Sequence, residues 1–374
     1  MQGLERETII YAAFPPIPNA QFPMRLAPSK LDLSHMTPNE RALVRCQKAL
    51  ELKDRGDYGG AQEVMRPLWK RVGEYPNIEG LHPSVAAEVL LCAGILTGWI
   101  GSRNEIKQAN DWARDLLTAS ITYYESLQDV IKIASIRAEL GYCYWRSGAL
   151  NEARIVFTEA LKRLTTEGNT RANAVFGLSV VEWSAFRFKE SLRILTESAP
   201  LFKKISNHTL KGVYHMQVAM ALRNLATLEN QNSDFRRVVG EYEEADRHFK
   251  AARNKIFRAH VKNNVSYVLR ELGFFKEARE YLDHARRLTV SAKDKVKTAQ
   301  VDESRAQLFI AEGKFDEAEA AARNAAKTFE KVGINASWQK LSPRKASHWP
   351  GSAKQKERNS QFKKQLKLRI TQVH

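Results

Sequence analysis

Apolar residues return every three to four positions through most of this chain, in blocks of helical length separated by short polar or glycine-containing joins. The pattern is plainest in Glu139–Leu161, ELGYCYWRSGALNEARIVFTEAL. Leu140, Gly141 and Tyr144 share one face of a first helix, and Ala153, Phe157, Ala160 and Leu161 share one face of a second. Between them Gly148 stands where the chain must reverse, Leu150 follows two residues later, and Ala153 is small enough for two helix backbones to approach closely. The expected unit is therefore two helices joined by a tight turn.

The same outline recurs as Gly273, Phe275 and Ala278 in GFFKEA, Gly313, Phe315 and Ala318 in GKFDEA, and Gly56, Tyr58 and Ala61 in GDYGGA. It resembles the tetratricopeptide repeat, a helix-turn-helix unit that stacks on its neighbours. The resemblance implies an all-α, right-handed superhelical solenoid. Seven pairs can be laid along the chain, with turns at Gly56, Gly101, Gly148, Phe186, Ser233, Gly273 and Gly313, at intervals of 45, 47, 38, 47, 40 and 40 residues. The usual repeat is about 34 residues, so the helices here are long, as in the arrays of bacterial signalling ATPases and MalT-like regulators that the chain resembles. The array begins with a capping box, Thr37 and Glu40 around Pro38, and is expected to run over residues 38–332.

Charge changes this picture at one end. The chain carries a formal net charge of +17, but residues 333–374 hold ten Lys or Arg against one acidic residue, which leaves the first 332 residues at only +8. With Pro343 and Pro350 also present, residues 333–374 read as a basic, disordered tail: an extension that binds nucleic acid or membrane, a simply solvated charge run, or the out-of-frame product of a frameshift near Gly333 that truncates the array. Residues 1–37 carry five prolines and read as an extended arm. The N-terminus lacks a signal-peptide pattern and no run of about 18 apolar residues occurs, so a cytoplasmic protein without a membrane span is expected.

Chemistry is sparse. The three cysteines have no metal-ligand or redox spacing, the nine histidines include no i, i+4 pair, and phosphate loops, dinucleotide fingerprints and nucleophile elbows are missing. The expectation is a non-enzyme with no metal and no cofactor, acting as a scaffold for a protein or peptide. Nucleic acid is the alternative, through the tail only. In a solenoid of the resembled family the first helices line a concave groove, which here would hold Tyr142, Trp145 and Arg146 in the third pair, Trp183 in the fourth, Arg223 in the fifth, and Asn263, Tyr267 and Arg270 in the sixth. Aromatic and Arg side chains are common interface anchors, and Asn can clamp a peptide backbone. The competing role for Trp145 and Trp183 is core packing, and for Asn263 a structural hydrogen bond.

Overall fold

The computed structural model describes residues 33–104, 106–228 and 235–331. The proline-rich arm up to residue 32, the turn expected at Ser233 and the basic tail lie outside them. All regular structure in the described residues is helical. The helices are α1 (Pro38–Asp54), α2 (Tyr58–Met65), α3 (Pro83–Arg103), α4 (Ala109–Ser126), α5 (Val130–Arg146), α6 (Leu150–Arg163), α7 (Asn169–Ser184), α8 (Phe188–Glu197), α9 (Ala199–Lys204), α10 (His208–Leu228), α11 (Phe235–Ala251), α12 (Lys255–Glu271), α13 (Phe275–Ser291), α14 (Lys295–Glu312) and α15 (Phe315–Lys331). Setting aside the single-turn α9, they form seven successive pairs.

Local chemistry fixes the ends. Thr37 and Glu40 close the capping box at α1, each side chain bonded to the other's backbone amide. Asp57, Asp129 and Asp294 cap α2, α5 and α14 by accepting amide hydrogens at about one turn's spacing. Gly148, Gly273 and Gly313 take left-handed backbone at the turns, with φ of 79–80°, and Phe186 occupies the same conformation without a glycine, at φ 60°.

The second pair departs from expectation. Gly101 is not its turn but a buried residue of α3. A Cβ there would lie 2.1 Å from that of Ala109, so this glycine permits close helix approach. The reversal comes later, beyond Asn104 at the end of α3, and Gln108 before α4 adopts φ 65°.

The chain divides into two compact units, Met1–Phe257 and Arg258–His374. In the first, α1, α2 and α3 enclose Cys46, Met65, Trp69, Leu90 and Leu96, and α3, α4 and α5 enclose Ala87, Leu117, Ile136 and Cys143. α3 is long and apolar enough to cross a membrane by length and composition. Its apolar girdle is accounted for by burial, since fifteen of its residues are enclosed by neighbouring helices. Further on, the ring of Phe157 from α6 lies between α5 and α7, where a Cβ on Gly141 or Gly177 would come within 2.7 or 2.3 Å of it. The second unit is built around Ala259, Ala278, Leu282, Ala285, Val301 and Leu308. Ala153 and Ala278, expected at close crossings, are both fully buried.

The first unit also closes on itself. The side-chain amide of Asn254, which is fully buried, donates to the Asp54 carbonyl at 3.0 Å. Thr209 Oγ1 donates to the same carbonyl at 3.1 Å, and Asn207 Nδ2 donates to the Asp54 carboxylate at 3.1 Å. The turn of the first pair thus docks on the joins that flank the fifth.

Candidate functional site

Closure of the first unit gathers ionisable side chains from successive first helices. Lys53 and Asp54 end α1 as an ion pair at 2.9 Å, and Arg103 near the end of α3 lies 5.4 Å over the Tyr58 ring. Arg146, on the last turn of α5, lies 5.3 Å over the ring of Trp99 from α3, and its Nε donates to Asn110 Oδ1 at 3.1 Å. One turn back, the Tyr142 hydroxyl donates to the Asn173 carbonyl at 2.8 Å, while Asn173 Nδ2 donates to Glu139 Oε1 at 2.9 Å. Lys53, Asp54 and Arg146 all act electrostatically on Glu139. These groups, from α1, α3, α5 and α7, therefore form one interacting cluster on the inner side of the closed unit.

Its electrostatics follow from crowding. Desolvation raises the Glu139 carboxyl above the usual range, with Lys53 and Arg146 pulling the other way. At Lys53 desolvation is again the largest influence and lowers the pKa, but Asp54 and Glu139 together outweigh it and leave the ammonium favoured. The pair is asymmetric: attraction wins at the ammonium and burial at the carboxyl. Arg146 Nη1 is buried and has no hydrogen-bond partner among the described residues, so the cluster contains a guanidinium donor that these residues leave unpaired.

The expected groove residues fall into different places. Tyr142 and Trp183 are core, 3% and 2% exposed. Tyr142 packs edge-on against Phe157 at 5.1 Å and Trp183 packs near Phe188 at 5.9 Å. The sequence pattern failed at these two because first helices are flanked by neighbours on both sides, so positions expected on an open groove are taken up by packing; Val180 and Phe176 are buried in the same way. Trp145 is half-buried, its indole N–H donating to Ser184 Oγ at 2.8 Å. Arg223 is half-buried beside Asn224. In the second unit Tyr267 is exposed and Arg270 lies 4.7 Å over its ring, donating to Gln307 Oε1 at 2.7 Å. Asn263, one turn away, has a buried Oδ1 without a hydrogen-bond partner among the described residues.

No family model matches the sequence, and no curated protein matches it. Among solved structures, a Rap protein complexed with Competence and Sporulation Factor is similar over 88% of this chain and 99% of its own, with a TM-score of 0.51 and 12% identity. Aspartyl phosphate phosphatase F from Bacillus subtilis is similar over 90% of this chain and 86% of its own, with a TM-score of 0.51 and 11% identity. The fold is tetratricopeptide-like.

Two sets of residues in this tetratricopeptide-like array were passed over in the sequence. Lys53, Arg103 and Glu139 carry the inner cluster: Lys53 stands three residues before Gly56, as Trp145 does before Gly148, whereas Arg103 lies beyond Gly101, the expected turn, and Glu139 falls one position off the spacing of Tyr142 and Trp145. The second set is a histidine cluster where α10 and α11 meet. His208 and His248 face each other with their Nδ1 atoms 3.0 Å apart, His215 stacks on His248 at 5.5 Å, and His215 Nδ1 is 2.8 Å from Glu241 Oε2. Burial, assisted by the neighbouring histidines, Lys211 and Arg247, brings His248 down to about 4. The signal was present as His208 and His215 seven apart, and Glu241, Glu244 and His248 at 0, 3 and 7. Both spacings return to one helix face after two turns, but one set lies on α10 and the other on α11, so the cluster has no i, i+4 histidine pair to mark it in the sequence.

Proposed function

We propose that this chain is a scaffold that binds a peptide or protein segment, acting as the sensory part of a regulator, with the inner cluster of the first unit as its principal contact. The observation that carries the reading is Arg146, whose buried Nη1 has no hydrogen-bond partner among the described residues beside Trp99, Glu139 and Asn110. Lys53 and Arg146 lie beside Asp54 and Glu139, and the spare guanidinium donor of Arg146 suits an acidic side chain or a C-terminal carboxylate. Trp145 extends the contact, while Tyr142 and Trp183 support it from the core. Tyr267, Arg270 and Asn263 form a separate patch in the second unit, and Arg223 a further point of contact. The Rap protein in complex with its factor supplies a precedent on a similar fold. The three cysteines are free and buried, which suits a reducing cytoplasm.

The test is binding of the full chain to an array of acidic peptides, each made with a free and with an amidated C-terminus. Free-acid peptides should bind more tightly, and Arg103→Ala and Arg146→Lys should each weaken them while leaving the melting curve in place. Affinities that both variants leave untouched would remove the inner cluster from consideration. A second reading, nucleic-acid binding through residues 333–374, is favoured by their nine excess positive charges. It predicts affinity that falls linearly with salt on logarithmic axes and disappears when the tail is removed.

A further inference from the structure

We propose that the histidine cluster between α10 and α11 is a binding site for a divalent transition-metal ion, with zinc as the best match. His215, Glu244 and His248 each offer one ligand atom, and all three atoms lie within 4.8 Å of one another. Two imidazoles and a carboxylate are the donor set of an open zinc site, and zinc accepts nitrogen and oxygen at about 2.0–2.2 Å. The three donors must therefore draw inward on binding, which side-chain rotation on two packed helices permits.

The surrounding hydrogen bonds already orient the two rings. His215 Nδ1–H donates to Glu241 Oε2 at 2.8 Å, and this carboxylate–histidine pairing leaves Nε2 with its lone pair to give. His248 Nδ1 is engaged with His208 Nδ1 at 3.0 Å, which likewise leaves His248 Nε2 for the ion. Glu241 and His208 thus hold the rings from behind, as outer partners of metal ligands do. Glu244 is shared with Arg247, one helical turn away. Arg247 is 71% exposed, so it can release the carboxylate into water without leaving a buried charge. Oxygen-only cations are poorly served by two imidazoles, whereas zinc, cobalt and nickel take them readily.

The site lies outside the inner cluster and does not depend on the peptide-binding reading. The experiment is titration of the full chain with zinc chloride, followed by calorimetry and by thermal melting with and without EDTA. One zinc ion per chain should bind, and the melting temperature should rise with zinc and return with EDTA. Cobalt substitution should give the intense visible absorption of a tetrahedral site. His248→Ala removes a direct ligand and should weaken zinc by more than the roughly 10–100-fold that loss of an outer partner costs. Glu244→Gln, which leaves the helix packing unaltered, should also weaken it, and Glu241→Gln should do so to a smaller degree. If zinc fails to bind stoichiometrically, or binds equally well to His248→Ala and Glu244→Gln, the proposal is overturned. Should His248→Ala not fold, Glu244→Gln alone decides.

Discussion

Two glycines separate backbone strain from packing. Gly148 has φ 80° and open space around the position of a Cβ, whereas Gly177 is an ordinary helical residue whose Cβ would reach within 2.3 Å of the Phe157 ring. Gly148→Ala should cost about 1–2 kcal/mol, because an L side chain is disfavoured in the left-handed region. Gly177→Ala should cost about 1–3 kcal/mol by overpacking. Chemical denaturation would give similar losses, so the distinction lies in coupling. Phe157→Leu should relieve part of the Gly177→Ala loss and none of the Gly148→Ala loss, and a cycle with no coupling at Gly177 would show that the ring is not what fills that space. Glu139 supplies the residue-scale test of charge. Its pKa is raised in the fold by burial, so the folded protein holds this proton to a higher pH than the unfolded chain. The native carboxyl therefore costs no stability below the unfolded pKa and costs progressively more as pH rises through the folded value. Glu139→Gln can still accept from Asn173, and its stability relative to the parent should rise as pH is taken upward from about 4. A constant difference across that range would contradict the assigned direction.

At the scale of elements, the pairs stand because small residues and one large ring alternate across the layers. Ala153 and Ala278 let second helices approach, and Phe157 fills the space left by two glycines on either side. This part was legible, since Gly, bulky residue and Ala at fixed offsets encode both the turn and the close crossing. The side of each first helix that stays open was not legible. Spacing from the turn identifies a face, but whether a neighbour covers it depends on how tightly successive pairs stack, and Trp183 and Tyr142 are covered. Gly101 misled for a related reason, because glycine serves close approach as well as turns and the sequence does not distinguish the two. Charge also joins elements. Glu182 on α7 is 4% exposed in its side chain and meets Arg154 of α6, with Arg154 Nη2 3.3 Å from Glu182 Oε2 and Arg187 Nη1 3.6 Å from the same oxygen. Arg154→Ala leaves that buried carboxylate with the more distant Arg187, and should lower stability by on the order of 3 kcal/mol. Arg154→Met combined with Glu182→Leu should recover most of the loss, since no buried charge is then left unpaired. If the double variant is as unstable as the single one, the pair contributes by packing and its charge is incidental.

At the scale of the first unit, the feature that no local pattern encodes is closure. Asp54 and Asn254 are 200 residues apart, and neither belongs to a motif that would have drawn attention to it. Yet both ends of the Asn254 side-chain amide are engaged, Nδ2 donating to the Asp54 carbonyl and Oδ1 accepting from the Phe257 amide at 3.0 Å. Because the cluster of Lys53, Glu139 and Arg146 depends on the end of α1 being held inward, closure sets the spacing of charges that lie far from Asn254 in sequence. Asn254→Ala should therefore have two separable consequences. Stability should fall by about 1–3 kcal/mol, as the Asp54 carbonyl and the Phe257 amide lose a buried partner. In native-state hydrogen exchange, amides at residues 51–57 should open faster by more than the global change accounts for, since this turn loses its docking while α3 and α4 keep theirs. Thr209→Ala removes a bond to the same carbonyl and should shift those amides in the same direction by a smaller amount. Exchange at residues 51–57 that merely tracks the rest of the unit would show that the turn is held by α1 and α2 alone, and that the spacing of the inner charges does not rest on Asn254.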